Sequence, residues 1–457
     1  MNSKTLLAIA LLFAFSCRQE VVLLNSNPAA TSNNNTSKGT VAPASFKWQF
    51  LQDYLITLSS DTLLDDVSFT LYGNDGNLVY TGKINFGYTS FMIRIPRDVQ
   101  FLTVVSNNPK IVPGQSIDLS KNTAVYNGKS VIKTNITADK LWIKKPNGAI
   151  FNTKNRLFKG GDILNLWDEN EYVYTRTLFE DLWPSTADYD FNDMVVDNLN
   201  TFEIRNAQNQ SGSQKRPIGL GNKVVSQLKG TYVVQANGAG FNNGLAVQLF
   251  GEHYNQDGSI TPINDIANYI SNFKFTNSSG KANAGAKVEY LPNGEVVIII
   301  FARINDVKGS IFQNTDAYTR FGLGDTINFT IDLNTKVDQD YWNGKLSNFR
   351  YSHPFLLQNG DRSIEIHVAG EMPTMMANAS LFGTGEDNTN MAVGRTFVSK
   401  KQNFPWALTV PSNFIWATEK VDLLKAYPAF SEWIVKNRQN LNEWRYIKVD
   451  SLVKNIN

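Results

Sequence analysis

The amino-acid sequence predicts a mostly β protein, in which an N-terminal β-sandwich is followed by a larger β-rich domain with two short C-terminal helices. Short apolar stretches rich in β-branched and aromatic residues recur along most of the chain, and turns ending in Asn-Gly or Asp-Gly separate several of them. Helix signals occur only from Thr418 onward. Short strands at such close spacing are typical of sandwiches.

The first sixteen residues have the features of a secretion signal. Lys4 supplies a positive charge, and residues 6–15 form an apolar stretch that is too short to span a bilayer. The stretch ends in Ala14-Phe15-Ser16-Cys17, and small residues before a cysteine resemble a bacterial lipobox. We therefore expect cleavage before Cys17 and attachment of lipid, with palmitate among its acyl chains.

Cys17 is the only cysteine of the chain, so no intrachain disulfide can form. The alternative to a lipid anchor is an ordinary cleaved signal followed by a lone exported thiol. Arg18 follows the cysteine, so the aspartate that retains some lipoproteins at the inner membrane is missing. The sequence therefore predicts a lipid-anchored protein of the outer membrane and leaves the leaflet open.

Composition divides the chain into four parts: the signal peptide (1–16), the lipidated cysteine with a flexible linker (17–45), the sandwich (46–158) and the larger domain (159–457). The linker is predicted because its sequence is rich in Asn, Ser, Thr, Ala and Pro and poor in apolar residues. Loss of Lys4 with the signal peptide leaves 42 basic residues against 41 acidic ones. This balance implies neither nucleic acid nor an anionic membrane surface as a partner.

In the sandwich, Asn74-Asp75-Gly76 predicts a hairpin turn between two strands, and Pro146-Asn147-Gly148 predicts another. The strands predicted there are residues 54–58, 66–72, 78–80, 91–95, 141–143 and 149–151. In the larger domain, Pro292-Asn293-Gly294 predicts a third hairpin. The strands predicted there are residues 194–196, 224–235, 244–250, 286–290, 294–303, 327–332 and 363–368.

Two helices are predicted near the C-terminus. The first would be capped by Thr418 and continue to Lys425, and the second would extend from Ala429 to Asn437. Pro428 separates them, because proline cannot continue a helix from the preceding turn.

The most specific feature is the acidic block, residues 179–197, which places six acidic side chains within nineteen positions of a chain that is 18% charged. Carboxylates packed this closely repel one another unless a cation or backbone N–H groups neutralise them. Asp188, Asp190 and Asn192 alternate as in many calcium loops. The block therefore predicts a Ca²⁺ site formed by Asp188, Asp190, Asn192 and Asp193, with Glu180 or Asp181 completing the ligand set.

The block departs from the helix-loop-helix calcium motif. That motif needs Gly after Asn192, where Asp193 stands, and Glu seven positions beyond Asn192, where Leu199 stands. Two other interpretations stay open. The aspartates could cap turns and accept backbone N–H bonds at the start of a strand. Alternatively, the carboxylates near Trp183 and Tyr189 could hydrolyse a glycan.

Motifs for other chemistry are absent from the sequence. The three histidines, His253, His353 and His367, have no zinc spacing, and the chain has neither a Gly-x-Ser-x-Gly nucleophile nor a phosphate-binding loop. Glu365 and His367 would share one face of a strand and could pair, although a half-buried structural histidine is the simpler interpretation. Most aromatic residues are expected in the core, with carbohydrate binding as the alternative.

Several segments resemble one known family. Phe179-Glu-Asp-Leu-Trp-Pro184 and Asp188-Tyr-Asp-Phe-Asn-Asp-Met-Val-Val196 resemble the signature of LruC-domain proteins, which are bacterial envelope lipoproteins. Further similar segments are Gly244–Leu249, Glu365–Gly370, Pro405–Leu408 and Ala426–Phe430. The resemblance covers roughly residues 160–457. It implies an outer-membrane lipoprotein with a mostly β domain, and it supplies neither a ligand nor catalytic residues.

The sequence thus predicts a lipid-anchored protein without enzymatic activity that acts as a binding, adhesion or structural module, with Ca²⁺ as the candidate cofactor. Its partners would be the membrane, through the lipid, and an envelope protein or glycan, but not nucleic acid. The alternative is a glycan-directed envelope hydrolase that uses carboxylates of the acidic block.

Overall fold

The computed structural model describes residues 39–455 except 61–66, 75, 85–87, 98, 107, 109–110, 113, 121–123, 127–128, 137–168, 209–222, 239, 256–258, 278–284, 308–313, 317–325 and 438–442. The predicted signal peptide, Cys17 and the predicted strands at 141–143 and 149–151, with the turn between them, lie outside these residues. Within the described chain, no helix has the length and apolar character needed to cross a bilayer.

Eight strands form the N-terminal part: β1 Leu51–Ser60, β2 Val67–Gly73, β3 Leu78–Ile84, β4 Tyr88–Pro96, β5 Phe101–Val105, β6 Ser116–Asp118, β7 Ala124–Tyr126 and β8 Lys129–Ile136. One sheet has the order β4-β1-β8-β7, and β1 and β8 are parallel within it. The other strands, in the order β3-β2-β5-β6, belong to a second sheet.

The two sheets pack face to face through aromatic side chains, which confirms the N-terminal sandwich. Phe91 of β4 stacks on Tyr80 of β3 with ring centroids 4.0 Å apart, and it also contacts Phe69 of β2. Buried and more exposed residues alternate along β2, as expected for a strand with one face in the core. The turn that precedes β3 closes through a hydrogen bond from the Gly73 N–H to the Asn77 carbonyl.

The larger part contains thirteen more strands: β9 Glu169–Phe179, β10 Met194–Asn206, β11 Lys223–Ala236, β12 Gly244–Asn255, β13 Ile260–Pro262, β14 Ile270–Asn277, β15 Lys287–Tyr290, β16 Val296–Phe301, β17 Thr326–Leu333, β18 Lys345–Tyr351, β19 Phe355–Leu357, β20 Glu365–Ile366 and β21 Ala407–Val410. The second sheet continues as β14-β17-β11-β10-β9-β3, with β21 also on β9. A third sheet has the order β15-β16-β12-β19-β20, with β13 and β18 on β12.

Hydrophobic patterning explains where these strands lie. All six residues of β16 are buried, and β16 is a continuous apolar run between two partner strands. β17 instead alternates between buried and partly exposed residues. The hairpin before β16 turns at Gly294, whose φ of 87° is in the region that favours glycine. Predicted strand 363–368 shortens to Glu365–Ile366, because Asp361 accepts the N–H of Ser363 in a turn.

The three α-helices of the described chain are short: α1 Lys336–Trp342, α2 Leu423–Ala426 and α3 Ala429–Val435. The two C-terminal helices confirm the prediction, but the first begins later than Thr418. Its N-cap is Asp422, whose carboxylate accepts the N–H of Leu424. The sequence did not predict α1.

The predicted boundary between residues 158 and 159 lies outside the described chain, and the division into two domains stays a prediction. β3 and β9, from opposite sides of that boundary, are hydrogen-bonded neighbours in one sheet through Tyr80 and Thr81. At the other end of the sandwich, ordered contacts precede Phe46. Thr40 and Ala42 are buried, and the Ala42 N–H donates to the Gln402 carbonyl.

A buried ion pair joins β9, β10 and the C-terminal segment. Arg176 of β9 faces Asp197 of β10 across the ladder and donates two hydrogen bonds to it, of 2.6 and 2.8 Å. The guanidinium also donates to the Phe414 carbonyl and lies 5.1 Å from the Trp416 ring centroid. Gln235 of β11 donates to the same carboxylate. This cluster fixes the strands that lead into the acidic block.

We expect Arg176→Met to destabilise the protein by about 3–5 kcal/mol, because it leaves the Asp197 carboxylate buried without its cation. Denaturant unfolding followed by tryptophan fluorescence measures the change. The double variant Arg176→Met, Asp197→Leu removes both charges and should recover part of the loss. A single variant as stable as the parent would show that the pair contributes nothing.

Candidate metal site

Five of the six acidic side chains of the block, all except that of Asp197 on β10, lie on the loop that joins β9 to β10. Phe179, the last residue of β9, and Met194, the first residue of β10, pair across the ladder. The loop therefore leaves and re-enters the sheet at neighbouring positions. Trp183, Tyr189 and Phe191 are buried and hold the loop against the core. Tyr189 and Phe191 have positive φ values of 61° and 54°, an uncommon conformation for non-glycine residues that tight packing must maintain.

Three carboxylates of this loop converge. One oxygen each from Glu180, Asp188 and Asp190 lies within 4.8 Å of the other two. Glu180 and Asp190 are buried, whereas Asp188 is exposed. Two oxygens bound to one Ca²⁺ at 2.3–2.6 Å are separated by at most about 5 Å, so this spacing suits a shared ion.

The same carboxylates also accept backbone hydrogen bonds. Glu180 accepts the N–H of Phe191 at 2.8 Å. Asp190 accepts the N–H of Asn192 at 3.1 Å on one oxygen and that of Lys420 at 2.7 Å on the other. Such bonds are expected if the aspartates of the block cap turns. They leave lone pairs on every oxygen, so they are compatible with a cation as well.

Asp181 and Asp193 form a second group within the loop. Asp193 accepts the N–H of Asp181 at 2.7 Å, and the Asp181 carboxylate accepts the side-chain amide of Asn243 at 2.7 Å. Neither belongs to the set of three converging carboxylates. The structure therefore brings the six predicted ligands into one loop but divides the five carboxylates among them between two groups.

Asn192 carries the most informative atom of the site. Its side-chain amide donates to the Ala417 carbonyl at 3.2 Å, whereas its side-chain oxygen Oδ1 is buried and has no hydrogen-bond partner among the described residues. Oε2 of Glu419 is also buried and also has no hydrogen-bond partner among the described residues. A buried oxygen without a donor is costly, and in native proteins it usually has a partner such as water or an ion.

Both oxygens face the same point beside Gly238. A Cβ atom added to Gly238 would lie 2.1 Å from Oδ1 of Asn192 and 3.0 Å from Oε2 of Glu419. Only glycine permits this approach. The Gly238 N–H donates to the backbone carbonyls of Asn192 and Asp193, at 2.9 and 3.1 Å, which fixes the turn after β11 against the loop.

The carboxylates of the loop and of Glu419 interact electrostatically as one cluster. Burial raises the pKa of Glu180, and the charges of Asp193, Asp190 and Asp188 raise it further. Burial, followed by the charge of Asp188, raises the pKa of Asp190 to about 8. The pKa of Asp193 is raised by burial and then by neighbouring carboxylates, and that of Glu419 by burial and then by Asp188. A cation at the centre would relieve this repulsion.

Sequence reasoning identified the loop but missed Glu419 and Gly238. Both are far along the chain from the acidic block, and each is an ordinary residue in its local sequence. Glu419 is placed beside the loop by hydrogen bonds from the Lys420 N–H to Asp190 and from the Leu423 N–H to the Tyr189 carbonyl. Gly238 is placed there by its own N–H bonds to the Asn192 and Asp193 carbonyls. No local pattern carries that information.

Glu365 and His367 form a separate, fully buried cluster. His367 Nε2 and a Glu365 oxygen are 2.8 Å apart, and the same carboxylate accepts hydrogen bonds from Arg362 and from the Thr374 N–H. The His367 ring stacks on Phe355 with centroids 4.2 Å apart. His367 is therefore fully rather than half buried. The cluster pins the segment after β20 in place and does not face solvent.

Residues 222–445 match a family described as a domain of unknown function, DUF4842. The match begins after the acidic block and includes Gly238, Glu365, His367 and Glu419. The LruC resemblance concerns a different family name and stays a prediction. Curated protein sequences give no match.

The chain is also similar to a solved structure described as a candidate lipoprotein from Bacteroides ovatus. Sequence identity is 15%, the match covers 86% of this chain and 100% of that one, and the TM-score is 0.49. Similarity at this level identifies neither a ligand nor an activity.

Glu365 leads to a pH-dependent prediction. Burial alone would raise its pKa, but the hydrogen bond from His367 and the charges of His367 and Arg362 outweigh burial and lower the pKa to about 2. Because the folded-state pKa lies below the unfolded value, Glu365 contributes stability above about pH 4.5 that is lost as the pH falls toward 2.

Glu365→Gln should therefore be less stable than the parent at pH 7 by about 3 kcal/mol, since Arg362 and His367 lose their carboxylate. The difference should narrow as the pH falls through the window from about 4.5 to 2. Urea midpoints measured at several pH values check this result. A constant difference across that window would contradict it.

Proposed function

We propose that the protein is a lipid-anchored envelope protein without enzymatic activity, a binding, adhesion or structural module whose acidic block holds Ca²⁺. The observation that carries the Ca²⁺ site is the buried side-chain oxygen of Asn192, which has no partner among the described residues and faces Glu419 beside the carboxylate cluster. Glu180, Asp188 and Asp190 are the other proposed ligands.

The chemistry of these donors suits a hard divalent cation. All five are oxygen donors, four of them carboxylates and one an amide, and Ca²⁺ takes six to eight oxygen ligands, water included. Asp188 is exposed and would bind on the solvent side, while the buried Glu180 and Asp190 would bind from the protein side. Mg²⁺ demands tighter octahedral geometry and should fit this set less well.

An ion at this position would join two distant segments of the chain. The loop after β9 supplies four of the five ligands, and Glu419 belongs to the segment that leads into α2. Gly238, at the turn after β11, lies beside Asn192 and Glu419 and leaves room for them. Ca²⁺ would therefore hold the C-terminal segment on the sheet. We infer a stabilising role for the ion rather than a catalytic one.

The lipid anchor rests on the residues that precede Cys17, which lie outside the described chain. The outer membrane is the proposed location, because Arg18 rather than Asp follows the cysteine. An envelope protein or a glycan is the proposed partner of the folded part.

The glycan hydrolase alternative finds less support. Trp183 and Tyr189, the two aromatic residues that the hydrolase interpretation uses, are 1% and 5% exposed, so neither offers a ring face on which a sugar could stack. Glu180 and Asp181 are likewise buried. Turnover of a glycan by the purified protein, lost in Asp190→Asn without loss of folding, would favour the hydrolase.

Saturating Ca²⁺ should stabilise the folded protein by about 2.7 kcal/mol at a hundred times Kd, because the unfolded chain has no assembled site. The melting temperature should rise by roughly 3–4 °C for a folded part of this size. Calorimetric titration should show one binding event. Melting curves that superimpose with Ca²⁺ and with chelator, together with no titration heat, would leave the block as a purely structural turn.

The variant Glu419→Gln distinguishes a Ca²⁺ site from a purely structural turn. Its carboxylate is repelled by Asp188, so removing the charge should not weaken the metal-free protein. The same variant should lower Ca²⁺ affinity about tenfold or more, since a neutral amide replaces an anionic ligand. Glu432→Gln, which removes an exposed carboxylate on α3, is the matched control. Equal Ca²⁺ affinity in both variants would exclude Glu419 as a ligand.

The anchor is checked by mass spectrometry of the N-terminal peptide. We expect a peptide that begins at Cys17 and carries the mass of a diacylglycerol and an acyl chain. An unmodified N-terminus, or release of the protein from membranes without detergent, would contradict it.

A further inference from the structure

The described chain begins on the surface of the C-terminal helices. The hydroxyl oxygens of Thr40 and Ser431 in α3 are 3.0 Å apart, and Phe46 packs against Trp433 of the same helix with centroids 4.9 Å apart. Val41, between these contacts, is 57% exposed. The chain that leads back to Cys17 therefore leaves the folded body beside α3.

Residues 423–437 and 443–453, here named the C-terminal cap, surround this exit. Trp444 packs on Phe430 and Trp433 of α3, with ring centroids 4.4 and 5.5 Å apart. The Val449 N–H donates to the carbonyl of Ala426 in α2. The cap is thus packed into a hydrophobic core that also contains Phe46, Trp48 and Phe404.

The outer surface of the cap is unusually apolar. Of the fifteen large apolar side chains that are exposed in the described part of the chain, five are on the cap or next to it: Val41, Val435, Tyr446, Ile447 and Val449. Val435 lies one helical turn after Ser431, on the side of α3 that Thr40 contacts. Tyr446 and Ile447 directly follow the segment that packs on α3.

Two ion pairs lie among these residues: Lys436 pairs with Glu432, and Lys448 pairs with Asp450. A contact with a membrane surface would leave each of these four charges with its partner. Tyrosine and β-branched residues suit the boundary between headgroups and acyl chains, where an aromatic ring with a polar end is favoured.

The tether sets the distance to the bilayer. Twenty-two residue steps separate Cys17 from Gly39. If this segment is the flexible linker that the sequence predicts, its root-mean-square span is about 26 Å. A lipid on Cys17 would hold the cap near the bilayer at high effective concentration, so that weak apolar contacts suffice for docking.

We propose that this face of the C-terminal cap rests on the bilayer that carries the lipid anchor. The inference builds on the anchor of the proposed function and adds an orientation to it: the cap faces the membrane, and surfaces away from the cap remain free for partners.

The test uses the full-length lipidated protein in vesicles of phosphatidylethanolamine and phosphatidylglycerol. Since lipid occupies the thiol of the only native cysteine, Ile447→Cys introduces a single site for a polarity-sensitive fluorophore. Tyr290→Cys, at an exposed apolar position on β15, is the matched control. Nitroxide-labelled lipid should quench the label at 447 severalfold more than the label at 290, and only the former should shift to shorter wavelength.

Equal quenching at both positions would overturn the proposal. A second result would also overturn it: the label at 447 shifts to shorter wavelength, lipid nitroxide does not quench it, and the protein has the mass of a dimer. The cap would then bind a second copy of the chain. If the N-terminal mass shows no lipid, the anchor fails and the docking, which depends on the tether, falls with it. Equal quenching at 447 and 290 in a protein that carries the lipid overturns the docking alone.

Discussion

Mutual repulsion among carboxylates in the loop after β9 is the constraint around which the rest of the site is arranged. Glu180 and Asp190 are buried within reach of Asp188, and burial together with neighbouring charge raises the pKa of both buried groups. The loop is nevertheless held in place by backbone donors from its own turns and from Lys420. A cation bound by these oxygens would convert a repulsive cluster into a link between loop and C-terminal segment.

The sheet explains why this link is structurally important. β9 pairs with β10 along its length, with β3 of the sandwich near its N-terminal end and with β21 at its C-terminal end, so it joins parts of the chain that are distant in sequence. The Arg176–Asp197 pair reinforces that junction from within the ladder. The proposed ion lies just beyond it, next to the segment from which the C-terminal helices follow.

The sequence predicted those features that local chemistry determines. Continuous or alternating apolar residues marked β16 and β17, and Gly294 marked a turn that only glycine makes easily. Short elements were harder: α1 has seven residues and no side-chain N-cap bond, so neither periodicity nor capping announces it. Glu419 and Gly238 could not be assigned, because they reach the acidic block only through contacts made after folding.

Long-wavelength anomalous diffraction from crystals grown with Ca²⁺ would locate the proposed ion itself rather than its effects. We expect one strong peak at 2.3–2.6 Å from the side-chain oxygens of Asn192, Glu419 and Asp190. A loop without such a peak, in which ordered water satisfies the Asn192 oxygen and Glu419 points into solvent, would contradict it. The acidic block would then be a set of turn caps.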